Sequence, residues 1–241
     1  MNFIPAVTTI VTFIFAALVF RRYQDRRGMH LLLWAAGLLF YGLGTLSEVI
    51  LSITFSPWVL KLWYLTGAML TAAWLGQGTV HLLVRRRGLA SKMTIGLAVV
   101  SILSAVLVFT APIGAAAAGY DTTQPASSQY DDILARNGFI VLLTILLNIY
   151  GTVTLVGGAI YSAYIFWRKR VLPNRMYGNI LIALGALSPA MGGTFIRLGL
   201  NDWLYVSELV GAVLMFAGFV VATSEAPARA PKAEPVASGE A

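Results

Sequence analysis

Residues 58–87, WVLKLWYLTGAMLTAAWLGQGTVHLLVRRR, decide how the chain is read. The stretch begins at a tryptophan, stops on three arginines, and exceeds the roughly 20 apolar residues a bilayer crossing needs. Trp63, Gly67, Leu70, Trp74, Gln77 and His81 recur at intervals of three and four, which predicts a helix with all six on one face. A face bearing Gln77 and His81 is costly against lipid, so it is expected to point into a helical bundle.

The rest of the composition agrees. Of 241 residues, 58% are hydrophobic and 11% charged, where a soluble domain carries roughly a quarter charged. The formal charge of +7 sits in short clusters between apolar runs, which points to lipid headgroups and topology and away from nucleic acid. The chain has no cysteine, so disulfides and thiolate metal sites are excluded. The first twenty residues lack a basic leader and run into RRYQDRR, as a retained first span would.

Working outward from the opening stretch, seven segments are long and apolar enough to span: about 3–20, 31–53, 58–84, 93–111, 138–167, 177–198 and 203–222. The expected fold is an all-α integral membrane bundle over 1–222. A disordered cytoplasmic tail is expected over 223–241, which is Ala/Pro/Glu-rich. The 112–137 connector, with three aspartates, reads as a flexible loop. Basic residues follow the odd-numbered spans: Arg21, Arg22, Arg26 and Arg27; Arg85, Arg86, Arg87 and Lys92; Arg168, Lys169, Arg170 and Arg175; Arg229 and Lys232. Only Lys61, Arg136 and Arg197 lie toward the other side, so the N-terminus is expected outside and the C-terminus inside.

A sparse internal repeat is also legible. Arg21, Arg22, Arg27, Leu33, Gly37, Leu39 and Gly44 recur 148 residues later as Lys169, Arg170, Arg175, Leu181, Gly185, Leu187 and Gly192. Spans one to three then correspond to five to seven in parallel, with the fourth as connector, a 3+1+3 plan known in carriers whose site lies between the repeats. Chance alignment of glycine-rich helices explains the same matches.

Glu48, Lys61, Arg197 and Glu208 fall inside the outer ends of predicted spans. They are expected either to form a polar pocket for a small solute or lipid, or to make interhelical ion pairs. Lys61 and Arg197 have stems long enough to snorkel; the short carboxylates do not, which makes Glu48 and Glu208 the stronger site candidates. Gln77 and His81 lie deeper. His81 and His30, near the inner side, are at matching depth for a metal or bis-histidine haem, against the plainer reading of hydrogen bonds to neighbouring helices. Tyr161 shares a face of the fifth span with Tyr150 and Thr154, and Pro189 beside Gly192 and Gly193 can kink the sixth. No other cofactor is called for, and the side chains offer no nucleophile-and-base set for an enzyme.

LLWAAGLLFYGLGTLSEVI (32–50) followed by KLWYLTGAMLTAAWLG (61–76) resembles uncharacterised bacterial seven-helix membrane proteins and the seven-helix sensor region of some bacterial histidine kinases. Microbial rhodopsins share the span number, but 203–222 holds no lysine for retinal. The resemblance implies a membrane-embedded sensor or binder, and it carries over no functional residue. The sequence therefore leads to a multi-pass protein of a bacterial-type inner membrane that binds or transports a small solute or lipid. A sensor signalling through a separate cytoplasmic partner, or a structural or assembly subunit, stand as alternatives.

Overall fold

The computed structural model describes residues 3–84, 86, 88–170, 172–197 and 201–224, the side chains at 190, 192–197, 201 and 202 excepted. The expected tail, beyond Ser224, lies outside these residues. Seven long helices follow one another: α1 (Ile4–Arg26), α2 (Met29–Leu51), α3 (Pro57–Trp63, Tyr64–Leu70 and Thr71–Leu83 in continuous succession), α4 (Leu89–Thr110), α5 (Gly138–Lys169), α6 (Pro173–Arg197) and α7 (Asn201–Thr223). No strand occurs among the described residues. Five of them, α1, α2, α4, α5 and the Trp203–Thr223 part of α7, are long and apolar enough to cross a membrane, which is the make-up of a membrane protein.

Local chemistry explains the ends. Pro5 opens α1, where its missing N–H costs nothing. Arg27 closes α1 in the left-handed region at φ 52°, its N–H donating to the Tyr23 carbonyl. Asn137 caps α5 by accepting the Ile140 N–H at 2.9 Å. Buried Thr8, Thr9 and Thr12 satisfy their hydroxyls inside the bundle by returning them to carbonyls one turn back, and Thr9 also donates to Thr45 of α2 at 2.9 Å.

Six helices pack in a closed ring in the order α1, α2, α3, α5, α6, α7 and back to α1, while α4 lies outside against α3 and α5. Phe15 closes the ring by stacking on Phe216 at 5.0 Å. Glycines set the spacing. A Cβ on Gly44 of α2 would lie 2.9 Å from Gly67 Cα of α3, and one on Gly185 of α6 would lie 2.8 Å from the Gly211 carbonyl of α7. Outward, Ile95, Val99, Ile102 and Val106 of α4 and Ile145, Ile149 and Val153 of α5 stay exposed, as lipid-facing side chains do.

The third helix departs from the expected single face. Tyr64–Leu70 is π-helical, wider than an α-helix, and it rotates the remainder of α3. Trp63 and Gly67 turn toward α2. Trp74, Gln77 and His81 turn toward α4: Trp74 Nε1 donates to Ser101 at 3.1 Å, Gln77 Nε2 to the Ala90 carbonyl at 2.9 Å, and His81 Nε2 contacts Thr94 at 2.8 Å. The 112–137 connector is built rather than loose. It carries short helical turns, pairs Ile113 with Leu134, and buries Ala126, Ile133 and Leu134. Its anchors are few among polar residues, which is why composition reads it as flexible.

Candidate functional site

The ring encloses a cavity of about 510 Å³, within the range of small-molecule sites. Its wall is made by Gly44, Thr45 and Glu48 of α2, Gly67, Thr71 and Leu75 of α3, Asn148 and Leu155 of α5, Pro189 of α6 and Glu208 of α7. Ser127, Tyr130 and Asp131 of the 112–137 connector cover it at the end where Glu48 lies. At the other end, past Leu75, Leu155 and Met215, Phe15, Leu38 and Phe219 fill the ring.

The π-helical segment contributes directly. Side chains add hydrogen bonds to its carbonyls: Thr71 Oγ1 donates at 2.7 Å to the Thr66 carbonyl, which also accepts the Thr71 N–H, and Asn148 Nδ2 donates to that of Ala68 at 2.7 Å. Gly67, with no side chain, leaves room for the cavity beside Gly44.

Glu48 and Glu208 meet at the covered end. Their carboxyl groups line the same cavity although they come from α2 and α7. Glu48 is 3% exposed, and its Oε1 accepts the Trp63 indole N–H at 3.1 Å. The Oε2 atoms of both residues are buried and receive no donor from the described residues. Tyr41 fixes the α7 backbone by donating its hydroxyl to the Glu208 carbonyl at 2.8 Å. Two neighbouring carboxylates repel, so such a pair favours holding one proton between them.

The other candidates from the sequence are placed elsewhere. Lys61 donates Nζ to the Phe109 carbonyl at 2.9 Å, closing the end of α4, and does not enter the cavity. Gln77 takes a hydrogen bond from Tyr150 and joins α3 to α4 and α5, outside the cavity wall. His81 belongs to the same join, while His30 sits edge-on to Trp34 at 5.4 Å. Among the described residues no three His, Asp or Glu side chains gather as a metal site. Tyr161 is 56% exposed on the outside of α5, away from the cavity. The Arg197 side chain and the surroundings of Gly192 and Gly193 lie outside the described residues.

The connector adds residues that composition alone does not single out. Arg136 pairs with Asp131, donates to the Tyr64 hydroxyl at 3.2 Å and stacks over Tyr130 at 4.5 Å, binding the cover to α3. Tyr120 stacks on Phe55 at 4.7 Å. Burial, with the charges of Glu48 and Asp121 adding to it, pushes the Tyr120 phenol up to about 12. The Thr123 hydroxyl, with the Thr123 N–H, holds exposed Asp121 below the usual carboxylate range.

Fold and site together define a helical membrane protein with a carboxyl-lined cavity. Compared with protein-family models, curated proteins and solved structures, the chain matches none.

Proposed function

We propose that this is a seven-span protein of a bacterial-type inner membrane, N-terminus outside and C-terminus inside, that binds and moves a small solute or lipid through the ring. The observation that carries the reading is the pair Glu48 and Glu208 in a cavity of about 510 Å³, the Oε2 atom of each buried without a donor among the described residues. Buried carboxyls inside a membrane bundle are expensive and are kept where they handle a ligand or ion. The seven-span count is supported by α3 and α6, which stand in the same ring as helices long enough to cross. The distribution of basic residues supports the orientation. The 3+1+3 repeat is supported by α4 lying outside a ring of three and three.

Absence of cysteine makes the topology directly testable. The Asn2→Cys chain should react with an impermeant maleimide on intact cells, and the Ser224→Cys chain only after permeabilisation. The reverse pattern overturns the orientation. For the site, native mass spectrometry of gently solubilised protein should show a retained small molecule or lipid that Glu48→Gln loses. A wild-type chain that flies empty and takes up nothing from a membrane extract overturns the solute-binding reading.

A further inference from the structure

Hydrogen-bonding groups in the cavity wall select the kind of solute that fits. Four donors there are engaged by the protein: Tyr41 with the Glu208 carbonyl, Trp63 with Glu48, Thr71 with the Thr66 carbonyl, and Asn148 with the Ala68 carbonyl, while the buried Ser127 hydroxyl has no partner among the described residues and can donate or accept. Two carboxyl acceptors are also left open. Glu48 Oε2 and Glu208 Oε2 are both buried and face no donor among the described residues, and Glu48 is itself only 3% exposed. A solute that satisfies this wall must bring donors, and an anion is repelled by it. Among the described residues, Arg136 near the covered end pairs with Asp131 through a terminal nitrogen, its Nε buried without a partner, and Lys61 donates to the end of α4. Trp63 and Tyr130, 5.3 Å apart and edge to face, stand beside Glu48 and offer aromatic surface to a positive charge.

We infer that the solute is an organic monocation, an amine in its ammonium form, which enters the carboxyl pair in exchange for one proton. The inference rests on the solute-binding reading proposed above and names the class of solute. In the empty cavity the pair shares one proton and carries one negative charge. When an ammonium ion docks between Glu48 and Glu208, the shared proton leaves to water, and two carboxylates then face one cation. The cavity carries the same net charge before and after, so the exchange costs no net burial of charge. Among the described residues, the other titratable groups that line this end of the cavity or act on the pair are Tyr41 on α2, and Tyr120, Tyr130 and Asp131 on the connector. Asp131 is held by Arg136, which leaves the carboxyl pair to supply the proton.

Three probes of one size separate the cases: phenethylammonium, 2-phenylethanol and phenylacetate. Each is titrated calorimetrically into the detergent-solubilised full chain, in two buffers of different ionisation enthalpy. The expected result is binding of the ammonium probe alone, with about one proton released per probe. Its Kd should then rise about tenfold per unit fall in pH where the pair is protonated. Glu48→Gln and Glu208→Gln should each abolish the proton release; a variant that fails to fold leaves the wild-type proton count as the deciding measurement. Preferential binding of the alcohol, or ammonium binding without proton release or unchanged in both variants, overturns the inference. If no probe binds but native mass spectrometry finds a neutral lipid held by the wild type, the cation inference falls and the solute-binding reading stands. If no probe binds and the cavity is also empty, both fall.

Discussion

Trp63 donates its indole N–H to Glu48 Oε1 at 3.1 Å, one helical turn from where Gly44 of α2 meets Gly67 of α3. One carboxyl oxygen is thereby fixed on α3 and the other is left to face Glu208. Orientation of the pair is thus set by an aromatic residue on a neighbouring helix, and by the glycine contact that lets that helix approach.

Trp63→Phe keeps the ring and removes the donor. A buried acceptor losing its partner costs about 1–3 kcal/mol. The variant should melt at a lower temperature in detergent, and ammonium binding should weaken with the released proton count unchanged. A melting temperature equal to wild type would mean the indole contact contributes nothing.

Replacing glycines by alanine should sort by position. Gly185→Ala and Gly211→Ala push a methyl into the facing helix at 2.7–2.8 Å, an overpacking that costs about 1–3 kcal/mol. Gly96→Ala and Gly157→Ala meet nothing within 4 Å and should be neutral or stabilising by up to about 1 kcal/mol, as a helical glycine gains on becoming alanine. Thermal melts of the four variants under one condition check the contrast, which disappears if glycine packing does not hold α6 to α7.

Gln77→Leu tests the join between α3, α4 and α5. Gln77 is fully buried, takes the Tyr150 hydroxyl and donates to Ala90 and Thr94. Stranding those partners should cost about 2 kcal/mol or more. Ammonium affinity should stay at the wild-type value, because the residue lies outside the cavity wall. A selective loss of binding without loss of stability would put Gln77 in the site after all.

Alkaline pH should loosen the cover. The Tyr120 phenol ionises at about 12 when folded, against an ordinary value near 10. The unfolded connector therefore gives up this proton first, so the stability it contributes is whole below about pH 10 and is lost between about 10 and 12. The melting temperature in detergent should fall through that interval in the wild type, and Tyr120→Phe should flatten the fall. An identical fall in the variant would assign the effect to another group.

The helices are legible because long apolar runs and their basic punctuation survive in one dimension. Glu48 and Glu208 also stand out, as short charged stems inside apolar stretches. Their sharing of one cavity is not legible, since it depends on the ring closing α7 onto α1 and α2. The π-helical turn at Tyr64–Leu70 is hidden for a different reason. YLTGAML reads as ordinary apolar helix, and the widening answers to Gly44, Thr71 and Asn148 from elsewhere in the fold. That one local change splits the predicted face, sending Trp63 to the cavity and Gln77 with His81 to α4. Lys61 reads in sequence only as a stem long enough to snorkel, because its target, a carbonyl 48 residues away, has no side-chain signature.

Closure of the ring through its first and last members also sets an order of manufacture. Tyr41 finds its acceptor only 167 residues further along the chain. A ribosome feeding this polypeptide into the bilayer therefore releases Glu48 long before the helix that completes its surroundings exists. Until α7 arrives, the nascent bundle is an open crescent with a carboxyl exposed along its inner edge. Chains cut short before α7 would keep that carboxyl without its neighbour Glu208.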